Sequence, residues 1–230
     1  MLFSYGKIAR DVTIYLNGSQ IEQVETCKFL GVVIDSKLSW KQHCQKVQIS
    51  LSRNLGIIRK LKYELPADIL FSIYKTLFMP HLQYGILAWG NTYPSYINQL
   101  HIIQKKTLRI INNSRFAEHS SPLFRKYRTL TVFDLYKYHL GVLMYKFETN
   151  NLPKTIYSLF NRNSDIHSYD TRSAVNLHLH KVRTSLYLST VRNQGPLLWN
   201  KLKPMPAFKS LVHFKKYLKT LFLLNYQTDC

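Results

Sequence analysis

Between Trp40 and Leu65 the apolar residues recur at three- and four-residue spacing. Trp40, Cys44, Val47, Leu51, Leu55, Ile58 and Leu65 make one stripe. Such a stripe commits the chain to a long amphipathic helix whose apolar face must be covered by other elements. Lys41, Lys46, Arg53, Arg59 and Lys60 fall away from the stripe, and Ser36 or Ser39 is positioned to cap the helix start. Pro66 suits the first turn of a second helix, which runs to about Met79 and is interrupted at Pro80. A third helix is predicted from Ser95 to Ile111. Its Ile97, Leu100, Ile103, Leu108 and Ile111 face inward, while Lys105, Lys106 and Arg109 share the opposite face.

Upstream of this bundle the pattern changes to β structure. Val12 to Leu16 is β-prone, Asn17-Gly18 is a two-residue hairpin signal, and Ile21 to Val24 is the expected return strand. Phe29 to Ile34 reads as a third strand, apolar on both faces and therefore buried. Downstream, Asn112-Asn113-Ser114 breaks the helical pattern and marks a boundary. A Tyr-rich helix follows from Val132 to Glu148, then a short segment ending at Phe160 and a polar loop over 161–173. Val175 to His180 and Ser185 to Leu188 read as strands of a short hairpin. Pro196 to Leu202 reads as one or two helical turns, and Ala207 to Leu224 as a last amphipathic helix. The expected class is α+β, mainly α. It comprises a β junction over 1–35, a helical bundle over 36–114, and a helical C-terminal region with a short β-hairpin over 115–230.

Charge narrows the function. The 32 Lys and Arg oppose 12 Asp and Glu, and a net +20 exceeds what solubility needs, so a polyanionic partner is expected. Cys27, Cys44 and Cys230 are isolated, with no C-x-x-C pair, which fits a reducing compartment and offers no zinc framework. Ser4, Gly6 and Lys7 break any signal-peptide core, and Lys75, Pro80 and His81 break the most apolar stretch, Leu70 to Trp89. The expectation is a nuclear or cytoplasmic protein, not secreted and not in a membrane.

The residues do not offer self-contained catalysis. Two-metal nucleotidyl transfer requires clustered carboxylates to hold Mg²⁺. Here the acids are scattered and no Asp-Asp pair exists; Asp165 and Asp170 merely flank a loop. There is no Gly-rich phosphate loop, no G-x-S-x-G and no H-E-x-x-H. His178 and His180 would share a strand face, but two imidazoles without a third ligand are ordinary strand residues. No catalytic residue, metal ligand or bound cofactor is assigned.

Lys28-Phe29-Leu30-Gly31-Val32-Val33-Ile34-Asp35, followed by Leu38-Ser39-Trp40 and His43, closely resembles a signature of non-LTR (LINE-type, jockey/CR1-like) retrotransposon reverse transcriptases. Further matches follow in the family's order. They are Tyr84-Gly85 with Trp89, Ile103-Gln104-Lys105-Lys106 with Leu108-Arg109, Tyr169 with Thr171-Arg172, Gly195-Pro196 with Trp199-Asn200, and Phe214-Lys215-Lys216. The resemblance implies a palm–thumb junction, a thumb and a C-terminal region. It makes Phe29, Leu30 and Gly31 a primer-grip-like element near a primer 3′ end. Gly31 either lets backbone approach a sugar–phosphate or relieves packing within a strand, and Phe29 and Leu30 lean towards core. The thumb helices would grip RNA or an RNA–DNA duplex through Arg53, Arg59, Lys60, Lys105, Lys106 and Arg109, mostly by phosphate and sugar contact. Trp40 is expected in the core, as are Trp89 and Trp199 by default. The parent activity implied is RNA-directed DNA polymerisation with Mg²⁺. The fingers and palm, with their Tyr/Phe-Ala-Asp-Asp motif, are not among these residues, so this chain alone is expected to be inactive. The missing palm and fingers portion is itself a candidate partner. The rival expectation is a protein-interaction module or an inert remnant, favoured by an uncovered strand at Phe29 to Ile34.

Overall fold

The computed structural model describes residues 1, 3, 13–166, 172–203 and 205–227. Val12, Tyr169, Asp170, Thr171 and Cys230, all used in the sequence reading, lie outside the described residues.

The Asn17-Gly18 signal folds as expected. Strands β1 (Ile14–Leu16) and β2 (Ser19–Ile21) pair antiparallel, and both turn residues have positive φ, at 49° and 78°. Two residues with φ > 0 match the turn's twist to that of the strands. The return strand comes earlier than the expected Ile21 to Val24 and shares only Ile21 with it.

The run from Phe29 to Ile34 is not a single buried strand. It divides into β3 (Thr26–Phe29) and β4 (Val32–Asp35), antiparallel neighbours with Phe29 opposite Val32. The chain reverses at Leu30 and Gly31, with φ of 45° and 83°. Phe29 and Leu30 are therefore exposed at a hairpin tip, at 62% and 73%, and not in the core.

Helix α1 (Lys41–Leu61) follows. Its stripe buries Cys44, Val47, Leu51 and Ile58, with Trp40, Leu55 and Leu65 packed at the margin of the core. Of the two serines read as caps, Ser39 meets the helix start: its hydroxyl accepts from the Lys41 amide, the first of α1, at 3.4 Å. The Asp35 carboxylate holds the turn that leads into the helix, accepting from the amides of Ser39 at 2.9 Å and Trp40 at 2.8 Å, with Lys37 at 3.2 Å. A carboxylate just before a helix N-terminus also meets the positive end of the helix dipole.

The bundle continues through α2 (Ala67–Leu77), α3 (Met79–Gln83), α4 (Ile86–Trp89) and α5 (Pro94–Ile111). Pro66 is the residue before α2 and Pro80 lies in the first turn of α3, so each proline starts a helix without interrupting hydrogen bonding. All five predicted inward residues of α5 are buried. Asn113, at φ 55°, ends α5 where the breaker was read.

Then come α6 (Ser121–Lys126), α7 (Val132–Glu148), α8 (Lys154–Tyr157), α9 (Asn163–Ile166), α10 (Ser185–Leu188), α11 (Val191–Leu202) and α12 (Leu211–Leu224), with a final 3₁₀ turn at Asn225–Gln227. The segments read as a C-terminal hairpin do not pair. Residues 178–180 are coil, Leu177 makes one isolated bridge to Arg162, and Ser185–Leu188 is a helical turn capped by the Thr184 hydroxyl. Thr184 satisfies an amide that a strand would have needed to pair across a ladder. The mainly helical α+β class stands, and among the described residues the strands are confined to the two N-terminal hairpins.

One buried polar residue joins helices on both sides of residue 114. Gln104 is fully buried; its amide nitrogen donates to the Tyr74 hydroxyl and the Leu130 carbonyl, each at 2.9 Å. Its carbonyl oxygen accepts from the Val132 amide at 3.0 Å. With its partners satisfied, this side chain links α2, α5 and the start of α7. Trp89 is fully buried and Trp199 nearly so. Asn200 clamps the backbone of Leu177 from both sides, accepting from its amide at 3.0 Å and donating to its carbonyl at 2.9 Å.

Candidate nucleic-acid interface

Residues far apart in the sequence meet beneath the β3–β4 tip. The Tyr84 hydroxyl donates to the Leu30 carbonyl at 2.5 Å, and the Lys46 ammonium donates to the Gly31 carbonyl at 3.2 Å. Both carbonyls of the turn are thus tied to the helical bundle. The Val33 amide donates to His43 Nδ1 at 3.3 Å. That bond needs a neutral imidazole with its proton on Nε2. Burial, with Lys46 adding to it, pulls the His43 pKa down to about 4.

Gly85 seats the hairpin from below. It has φ 62°, and a Cβ there would lie 3.1 Å from a Val32 methyl. The Trp89 indole N–H donates to the Tyr84 carbonyl at 2.9 Å, and the His43 ring lies 5.3 Å from the Trp89 ring. Phe29-Leu30-Gly31 and Tyr84-Gly85 with Trp89 are therefore one assembly. A cleft of about 330 Å³ opens beside it, lined by Gly31, His43, Lys46, Val47, Ser50, Pro80, His81 and Tyr84. Lys46 was read only as an off-stripe charge, and its position 15 residues from Gly31 carries no local signal of this contact.

The six sequence-selected cations divide between two helices. Arg53, Arg59 and Lys60 are exposed on α1. On α5, Lys106 is exposed while Lys105 and Arg109 are half-buried. Arg109 Nε donates to the Glu118 carbonyl at 2.8 Å, so part of its donor set holds the loop after α5. Among the described residues no three His, Cys, Asp or Glu side chains come together. The described residues therefore hold no carboxylate cluster suited to Mg²⁺. His178 and His180 meet edge-to-face at 5.0 Å, and His178 Nδ1 lies 3.1 Å from the Asn163 amide oxygen.

Among known proteins, the chain is 26% identical over 124 residues to the probable RNA-directed DNA polymerase from transposon X-element of Drosophila melanogaster. It is 30% identical over 104 residues to the RNA-directed DNA polymerase from mobile element jockey of the same species. The chain is related to non-LTR retrotransposon RNA-directed DNA polymerases. The matched segments cover 53% and 44% of this chain, and only 14% and 11% of the two polymerases. A similar match, 31% identical, joins 35% of the chain to 21% of a Pol polyprotein from a type-1 retrotransposable element of Nasonia vitripennis. No protein-family profile matches the chain, and no solved structure does. Among the described residues no helix is long and apolar enough to cross a membrane.

Proposed function

We propose that this chain grips RNA or an RNA–DNA template–primer without reading its sequence, as the thumb-side part of a retrotransposon reverse transcriptase. The observation that carries this reading is the tip at Phe29, Leu30 and Gly31, exposed and apolar yet fixed to the bundle by Tyr84 and Lys46. A tip held this way displays two apolar side chains and glycine backbone to a ligand at little ordering cost. The cationic faces of α1 and α5 add phosphate attraction, and the net +20 makes a polyanion the matching partner. In this reading Mg²⁺ and the chemistry of dNTP addition belong to a catalytic palm, and these residues contribute positioning.

The test has two arms. Fluorescence titration with two RNA–DNA hybrids of unrelated sequence should give equal affinities that fall steeply with salt; absent or salt-independent binding overturns the proposal. Primer extension on an RNA template by the purified chain should give no incorporation above a heat-killed control. Reproducible incorporation would overturn the non-catalytic part of the reading.

A second reading, a protein-docking module, has its own support. The β1–β2 hairpin exposes Ile14, Tyr15, Leu16 and Ile21 on neighbouring positions. Self-association that persists at high salt, with no hybrid binding, favours this alternative.

A further inference from the structure

Away from the β3–β4 tip a second cleft opens, of about 280 Å³, and its lining includes none of the six cations of α1 and α5. Its walls come from three separated segments, within residues 37–40 before α1, 91–94 before α5, and 185–189 in and after α10. Two long-range hydrogen bonds hold them together. The Thr92 hydroxyl donates to the Ser39 carbonyl at 2.7 Å, and the Asn91 amide nitrogen donates to the Ser189 carbonyl at 3.1 Å. The Asp35 carboxylate, through the Ser39 and Trp40 amides, sets the turn that brings Lys37, Leu38 and Trp40 to the lining.

The lining has the make-up of a base-stacking site. Trp40, half-buried, lines the cleft from the first segment, and Tyr93, 53% exposed, lines it from the second. Leu38, Pro94 and Leu186 add apolar surface, and no acidic side chain is part of the lining. Lys37 supplies the cation; it is exposed and makes no ion pair among the described residues. Aromatic rings beside a cation suit a nucleobase that carries a phosphate. The amide nitrogen of Asn91 and the hydroxyl of Thr92 are spent on joining the walls. The cleft therefore offers stacking and charge attraction more than a reading of base edges. Bases within a duplex are stacked on one another and have no open face to offer, whereas an unpaired base has.

Resting on the nucleic-acid reading above, we propose that this cleft takes an unpaired nucleotide of the bound strand, its base against Trp40 and Tyr93 and its phosphate by Lys37. The position of the cleft supports this. The four residues of β4 run from the tip to the turn at Asp35, a span of about 13 Å. A strand held at Phe29, Leu30 and Gly31 therefore reaches the cleft within a few nucleotides. The cleft holds single strand next to the gripped duplex, and it gives the helical turn α10 a part in binding.

The experiment titrates the full wild-type chain, Tyr93→Ala, Tyr93→Phe and Lys37→Gln with an RNA–DNA hybrid carrying a single-stranded RNA overhang, and with the same hybrid blunt-ended. Trp89 and Trp199 are 0% and 2% exposed, so Trp40 is the one of the three tryptophans that a base can reach. Quenching of tryptophan emission thus reports on the cleft. The overhanging hybrid should bind wild type more tightly than the blunt one and quench that emission further. Tyr93→Ala should weaken binding of the overhanging hybrid by about 5- to 150-fold and leave the blunt one unchanged, and Tyr93→Phe should restore it. Lys37→Gln should make the log-affinity versus log-salt slope shallower by a little under one unit, on the overhanging hybrid alone. Equal affinity and equal quenching for the two hybrids on wild type overturn this site alone and leave the wider reading intact. A Tyr93→Ala chain that loses affinity for both hybrids alike shows the ring to be structural and overturns the proposal. A wild-type chain that binds neither hybrid overturns this site and the wider reading together. Emission that changes with protein concentration and not with the overhang assigns the cleft to a second copy of the chain and overturns the proposal too.

Discussion

The Tyr84 hydroxyl donates a 2.5 Å hydrogen bond to the Leu30 carbonyl, and by doing so fixes a turn that leucine does not favour. At φ 45° Leu30 carries the steric cost that L-residues meet in left-handed backbone. The bond from Tyr84, with that from Lys46 to the next carbonyl, offsets part of that cost. Tyr84→Phe keeps the ring and removes the donor, so it should cost about 0.5–1.5 kcal/mol in stability. Hydrogen exchange is the sharper readout: amides of β3 and β4 should exchange faster while those of α5 and α7 do not change. Unchanged protection across the hairpin would show that the turn holds without the tyrosine.

The core of α1 offers a plainer test. Leu51 has no exposed surface and sits mid-stripe, so Leu51→Ala should destabilise the fold by about 2–5 kcal/mol. A cooperative melt that does not shift would contradict the packing of α1 on its neighbours.

Legibility followed the reach of the signal. Helices α1, α5 and α7 were readable because their apolar residues repeat at helical spacing, and the Val132–Glu148 bounds match the structure. Asn17-Gly18 was readable because both residues tolerate positive φ. The Phe29–Ile34 run misled for the converse reason. Its five apolar residues carry no turn signal beyond the Gly31 among them, and the turn is tied down by a tyrosine 54 positions away from Leu30. Val175 to His180 alternates like a strand, but a strand requires a partner. Asn200 satisfies Leu177 instead. In the candidate site, the identities of Phe29, Leu30 and Gly31 were visible, whereas their exposure and the part played by Lys46 were tertiary facts. Gln104 sits beside Lys105 in the same motif, yet it faces inward and joins three helices, a role that spacing alone did not distinguish.

Two histidines, His43 buried and His101 half-buried, make stability depend on pH. Burial first, then Lys46 for His43 and Lys105 for His101, lowers each pKa to about 4, from about 6.5 in the unfolded chain. Both are neutral when folded at neutral pH. As pH falls below about 6.5 the unfolded chain takes up protons that the folded chain cannot, so stability present above that pH is lost progressively towards pH 4. Each histidine removes at most about 1.4 kcal/mol per pH unit inside that window. Urea denaturation at pH 7.5, 6, 5 and 4.5 should show the decline, and a chain carrying His43→Asn and His101→Asn should show a shallower one. An equal decline in that variant would assign the effect to other groups.

The α5 cations give the most direct test of the grip. Lys105, Lys106 and Arg109 lie within about one helical turn, opposite the buried Ile97, Leu100 and Leu108. If that face meets phosphates, each cation releases a condensed counterion on binding, and affinity falls as salt rises. The three are not equivalent, because Arg109 already donates to the Glu118 carbonyl and so helps to hold the loop. Lys105→Gln/Lys106→Gln removes two charges and keeps helix propensity. The log-affinity versus log-salt slope should become shallower by roughly two units, and equally so on unrelated sequences, since phosphate contacts carry no sequence information. Adding Arg109→Gln should flatten it by less than one further unit and should speed hydrogen exchange over 114–118, where the loop loses its tether. A slope unchanged in a double variant with wild-type circular dichroism would mean that these side chains face water. The grip would then rest on Arg53, Arg59 and Lys60 of α1, and the same titration with those three replaced should produce the flattening that α5 did not.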